Sequence, residues 1–168
     1  MIKTDKRIYF LSLILILSAL AVMITGCSSS TNSDMVSMYE LQKTAIASDD
    51  TLPEMQTVNS SAENAGDLFT YISDVSYDKV EGYFLAYSSK GLADEIAVVC
   101  VRDASDAEEM VKSLKAHVDS RVKMYSTYDP SQVDRASSAL VFSEGRYAIL
   151  IISDKQDAVK SAILEQIK

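Results

Sequence analysis

Two short stretches constrain the fold of this chain more than anything else in it. "EIAVVCVRDASDA" starts at Glu95 and "RYAILIISDKQDA" at Arg146, 51 residues apart. Each opens with an apolar run of strand length, reaches an aspartate, and after two intervening residues reaches Asp-Ala. In the first run Ile96, Val98 and Cys100 alternate with Ala97, Val99 and Val101. Both sides of such a strand are apolar, so both sides must be covered. Helical spacing follows each run. After the first come Ala107, Val111, Leu114, Val118, Val122 and Tyr125; after the second come Ala158, Ala162, Ile163 and Ile167. Each set makes one apolar helix face. Asp103 and Asp154 stand where helix N-caps belong, and Asp106 and Asp157 fall near the positive end of the helix dipole.

A further strand precedes each unit: "GYFLAYS" from Gly82, and "ALVF" from Ala139, which turns back through "SEG" as a tight hairpin. The expected fold class is therefore α+β. It is a four-stranded antiparallel sheet in a repeated β-β-α arrangement, with helices on one face. The second face needs cover from N-terminal helices or from a partner protein, and the sequence leaves both open. "SSAENAGDLFTYISDV" has Ser60 and Glu63 at capping-box spacing. Its apolar stripe is Ala65, Leu68, Phe69, Ile72 and Val75. "DMVSMYELQKTAIAS" from Asp34 is a weaker helix with Met38, Leu41 and Ala45 inward, and "DDTLPEM" after it reads as a loop.

The N-terminus carries an address. Lys3, Lys6 and Arg7 precede an apolar run from Ile8 to Ile24, the pattern of a secretory signal. The run ends in Ile24-Thr25-Gly26-Cys27, which resembles a bacterial lipobox. That resemblance implies cleavage between Gly26 and Cys27 by signal peptidase II, with the Cys27 thiol lipidated. An uncleaved anchor helix and a plain secreted protein are the alternatives. Two acyl chains hold a protein on a membrane stably where one does not. Ser28 to Ser33 is small, polar and uncharged, as a tether should be. The expected organisation is a signal peptide at 1–26, a lipidated cysteine with tether at 27–34, and a single α+β domain at 35–168. The location is the extracytoplasmic face of the cell membrane.

The full chain has a formal net charge of −8. Residues 1–26 hold three basic residues and one acidic one, so the remainder carries −10. Such a chain is a poor ligand for phosphate backbones, and nucleic acid is not expected as a partner. If Cys27 is lipidated, only Cys100 remains, and no intramolecular disulfide forms. Cys100 within a β-branched run reads as a small buried hydrophobe.

The order of "LPEM", "EIAVVCVRD", a long helix, "YDPSQVDRA" and "EGRYAILIISD" resembles a family of small lipoproteins of Gram-positive gut bacteria, that of domain of unknown function 4358. The resemblance spans residues 35 to about 165 and transfers no activity, cofactor or catalytic residue. It implies a setting beside membrane machinery that acylates cell-surface polysaccharides.

Catalytic patterns are thin. His117 is the only histidine, which leaves no zinc pair and little room for a Ser-His-Asp triad; it reads as a boundary or surface residue. Ser76/Lys79 and Ser120/Lys123 share the Ser-x-x-Lys spacing of penicillin-binding enzymes without the other motifs of that class. The acids from Asp103 to Glu109 lack the glycine of a calcium loop, and Asp49, Asp50 and Glu54 form a looser group. No metal, cofactor or catalytic residue is expected. "MYSTYDPS" closes the long helix before Pro130 and places Tyr125 and Tyr128 on a loop, as a contact for a partner. Closing the end of the core is the other role open to these two rings. The expected function is a membrane-anchored, non-catalytic accessory or protein-binding subunit of a cell-envelope complex. A solute-binding lipoprotein is the alternative; an enclosed pocket with convergent polar groups would favour it, and a flat tyrosine-rich patch would favour a protein partner.

Overall fold

The computed structural model describes residues 36–168. The segments expected as signal peptide and tether, with Gly26 and Cys27, lie outside the described residues. Among the described residues no helix is long and apolar enough to cross a membrane. The elements are α1 (Met38–Ala47), β1 (Met55–Asn59), α2 (Ala65–Phe69), β2 (Val80–Ser88), β3 (Glu95–Val101), α3 (Ala107–Tyr128), α4 (Val133–Ser137), β4 (Leu140–Glu144), β5 (Tyr147–Ile152) and α5 (Gln156–Ile167). The strands form a single antiparallel sheet in the order β1-β2-β3-β5-β4. The class is α+β, as the sequence implies.

The sheet has five strands, not the four expected. The extra one is β1, whose Met55 lies in the segment read as a loop. Its alternation is weak, and it gains its identity from pairing with β2, Met55 opposite Ser88 and Val58 opposite Leu85. A short edge strand carries little pattern of its own, because half its backbone and most of its side chains meet water.

The double-sided apolar character of β3 and β5 is real: every residue of both strands is buried. One face presents Tyr83, Leu85, Ala97, Val99, Val101, Ala148, Leu150 and Ile152, and α2 and α3 cover it with Phe69, Met110, Leu114 and Val118. The opposite face presents Phe84, Ile96, Val98, Cys100, Ile149 and Ile151, and α1 and α5 cover it with Leu41, Ala45, Val159 and Ile163. The helices therefore lie on both faces, and α3 and α5 on opposite ones. This corrects the expectation of one helical face. The second cover is the N-terminal helix joined by the C-terminal one. Met38, Leu41 and Ala45 of α1 are buried as the spacing requires. In α5 the buried residues are Val159 and Ile163, while Ala158 is exposed. Ile163 and Ile167 lie on the packed face as expected, and Val159 stands there in place of Ala158.

Local capping differs from the sequence reading in two places. Ser60 does not cap α2; its hydroxyl accepts from the Tyr83 N–H at 3.2 Å, so it serves the sheet edge instead. Asp103 does act as a cap, accepting from the Ser105 N–H at 2.9 Å at the turn that opens α3. Asp154 does not cap α5, because Arg135 of α4 takes its carboxylate. Asp49, from the end of α1, does that work: it accepts from the Lys155 N–H at 3.2 Å and the Thr51 N–H at 2.8 Å. Burial pushes the Asp49 carboxyl up, but the hydrogen bonds from Thr51 and Lys155 outweigh it and hold the group below its ordinary value of 3.8. This one carboxylate joins the two helices that cover the second face.

A carboxyl held low in the folded state adds stability above its ordinary pKa and loses it as pH falls through the folded value. Asp49→Asn is therefore expected to cost about 1–2 kcal/mol at neutral pH, the usual worth of a buried cap. The gap from wild type should close below about pH 4. Urea melts at pH 7 and pH 3 read both effects.

Candidate functional site

A groove runs across the α2–α3 face. Its walls are the segment that leaves α2 and the exposed flank of α3, and β1 and β2 form its floor. One end is apolar, about 330 Å³, and bounded by Val58, Leu68, Ile72, Leu85 and the rings of Tyr71 and Tyr87. The other end is the more polar one, about 310 Å³, with Thr70, Ser73, Asp74, Ser113 and Ser120 beside Ile72 and Ala116. Tyr71, Ile72 and His117 belong to both ends. The ring of Tyr71 stands out at the lip, 71% exposed.

A buried carboxylate lies beneath the apolar end. Glu95 opens β3 and is 1% exposed. Its Oε1 is 2.7 Å from His117 Nε2, and its Oε2 is 3.0 Å from Arg121 Nη1. His117 and Arg121 are one helical turn apart on α3, so a single helix face brings both onto the strand. The second guanidinium nitrogen of Arg121 donates to Tyr125 Oη at 2.9 Å and to the Ala93 carbonyl at 3.3 Å. Tyr125 in turn donates to the Gly91 carbonyl at 3.1 Å. The network ties α3 to the β2–β3 hairpin, whose turn needs the left-handed conformation of Gly91 at φ +75°. Arg121 Nε is buried without a partner.

At the polar end the Ser113 hydroxyl donates to Asp74 Oδ1 at 2.6 Å and accepts from the Asp74 N–H at 3.1 Å. Ser73 Oγ lies 2.9 Å from Ser113 Oγ and accepts from the Val75 N–H. These bonds pin the segment after α2 to α3 and fix the groove's width. Beneath it, Phe69 and Tyr77 each pack edge to face with Tyr83, and Tyr83 donates to the Ala65 carbonyl at 2.7 Å. Burial raises the Tyr83 phenol to about 12.

The residues singled out from sequence fall elsewhere. Tyr125 is 4% exposed and Tyr128 82%, and α3 continues through both. They are on a helix, not a loop, and Tyr125 closes the core end, so it is no partner contact. Pro130 opens the next turn instead. Cys100 is buried, and burial raises its thiol pKa. Lys79 binds Asp106 and Glu109, which accounts for two acids of the 103–109 run. The Ser120 hydroxyl donates to the Ala116 carbonyl. His117 is a half-buried boundary residue, as its position beside the apolar stripe suggests. Its tie to Glu95 and Arg121 is what sequence reasoning missed. The available signal was a charged residue at the head of an otherwise apolar strand, with two cationic or ionisable residues four apart on the flank of an apolar helix face.

A family model described as "Domain of unknown function (DUF4358)" matches residues 55–153. No curated protein matches the chain, and no solved structure does. The matched span holds all five strands and every groove residue, and leaves α1 and α5 outside it.

Removing one partner of a buried ion pair strands the other charge. Arg121→Met is expected to destabilise the domain by ~3–5 kcal/mol, and Glu95→Met together with Arg121→Met to recover most of that loss. Chemical denaturation of the two variants reads the difference.

Proposed function

The chain belongs to the domain of unknown function 4358 family, and we propose that it works as a lipid-anchored, extracytoplasmic ligand-binding module. The groove carries this reading. It is an open groove rather than an enclosed pocket, apolar along one end and with a few polar groups along the other, a combination of surfaces that small-molecule sites use. Both faces of the sheet are covered by the chain's own helices, so no partner is needed to complete the core.

The module holds its ligand without converting it. His117 Nε2 is engaged by a buried carboxylate. The Ser113 hydroxyl, one turn earlier on the same helix, is committed to Asp74. Neither group is arranged as a nucleophile with its base. The anchor is Cys27, lipidated after cleavage at Gly26-Cys27, and it confines the module to the membrane surface, where its effective concentration toward membrane-borne ligands is raised. A second reading, an accessory subunit of a cell-envelope complex, is favoured by Tyr128 and Met124, 82% and 42% exposed at the end of α3.

Labelling cells with an alkynyl fatty acid tests the anchor: wild type takes up label and Cys27→Ala does not, and equal label in both overturns it. Native mass spectrometry of the full-length protein released from its own membranes tests the binding role. A bound small-molecule mass that Leu68→Trp abolishes is expected. No bound mass, with a stoichiometric protein crosslink through Tyr128, would favour the accessory subunit.

A further inference from the structure

We propose that the groove takes a small cationic amphiphile, an ammonium group carried on an apolar chain or ring; this names the ligand class of the binding role above and rests on it. The apolar end, walled by Val58, Leu68, Ile72 and Leu85, accepts the body of such a molecule. The charge balance of the groove selects its head. Both terminal nitrogens of the Arg121 guanidinium are taken by Glu95, Tyr125 and backbone carbonyls, and the remaining Nε is buried, so no free N–H faces an anion in the groove. Glu95 is likewise matched.

What remains is Asp74. Its side chain is exposed at the polar end. Its hydrogen-bond donor there is a neutral hydroxyl, that of Ser113. No ion pair among the described residues uses it. Lys112, which takes part in no ion pair among the described residues, lines a separate depression with Asp74 and Glu109 and lines neither end of the groove. The formal charge of the whole chain, −8, adds a field of the same sign. An anionic head in the polar end would meet Asp74 where no lysine or arginine lines that end of the groove, whereas an ammonium group would neutralise it.

Tyr71 completes the arrangement. It lines both ends, and its exposed ring gives one surface for the apolar body and one for the cation. A carboxylate and an aromatic face three residues apart on one short segment, beside an apolar slot, are complementary to an ammonium on an apolar stem.

Three probes with one apolar body separate the possibilities: 4-phenylbutylammonium, 4-phenylbutanol and 5-phenylvalerate. Each is titrated calorimetrically into the full-length protein in zwitterionic nanodiscs, with empty discs subtracted. The ammonium is expected to bind about fivefold to tenfold more tightly than the alcohol, the worth of one partly exposed charge contact with an aromatic neighbour, and the carboxylate most weakly. Asp74→Asn keeps the oxygen that accepts from Ser113, so the fold is preserved; it should abolish the preference for ammonium and leave alcohol binding unchanged. Tyr71→Ala should weaken the ammonium and the alcohol together. Equal or tighter binding of the alcohol or the carboxylate, or a preference that survives Asp74→Asn, overturns the cationic class while leaving the groove as a binding site. Failure of wild type to bind any probe overturns the proposal outright, and the bound mass in native spectrometry then decides the binding role on its own.

Discussion

Strands β3 and β5 have no solvent face, and the rest of the architecture answers to that. Every side chain of both strands is buried, and burying a Val, Leu or Ile side chain stabilises by about 1.5–3 kcal/mol only if something apolar covers it. One face is covered by the long helix between the two strands in sequence. The other is covered by α1 and α5, which come from opposite ends of the described chain. Asp49 holds these two together by accepting from the backbone at the start of α5. The second cover is thus a joint between chain ends, and a single capping carboxylate bears on whether it forms.

The first face is covered less completely. α3 lies over β3 and β5, whereas α2 is only a short helix over β1 and β2. The space between them is the groove. Its shape is maintained by polar contacts that do not depend on apolar packing: the Ser73–Ser113–Asp74 bonds at one end, and the Glu95–His117 hydrogen bond with the Glu95–Arg121 ion pair below the other. A buried charge pair adds little stability over apolar residues of similar volume, and removing one member is costly. Here the pairs fix the position of α3 against the β2–β3 hairpin, and that position sets the groove's floor and wall. Binding surface and buried network are therefore parts of one device.

The same reasoning separates the two ends of α3. Its middle, from Ser113 to Arg121, carries the groove's flank. Its last turn carries Tyr125 inward, where Arg121 lies over the ring and bonds the hydroxyl, and Tyr128 outward. Two tyrosines three apart on one helix thus divide between core and surface, a division that the helix phase alone does not announce at a terminus where Pro130 signals a stop.

Read by itself, the sequence settles the α+β class, the strands β2 to β5, the long helix and the burial of Cys100, because period-two and period-3.6 apolar patterns are local and dense there. It also shows, through Ile96 to Val101, that both faces of the sheet must be covered. It does not settle what covers the second face, since α1 and α5 are distant in sequence and each has only a narrow stripe. β1 escapes for a related reason: an edge strand is defined by the neighbour that pairs with it. The site is the least legible part. Glu95, His117 and Arg121 are ordinary polar residues in one dimension, as are Tyr71 and Asp74. Only the docking of α3 onto the start of β3 turns a strand-head glutamate into a buried partner for two side chains, because a charge's meaning depends on the solvent and counter-charges that tertiary packing gives it.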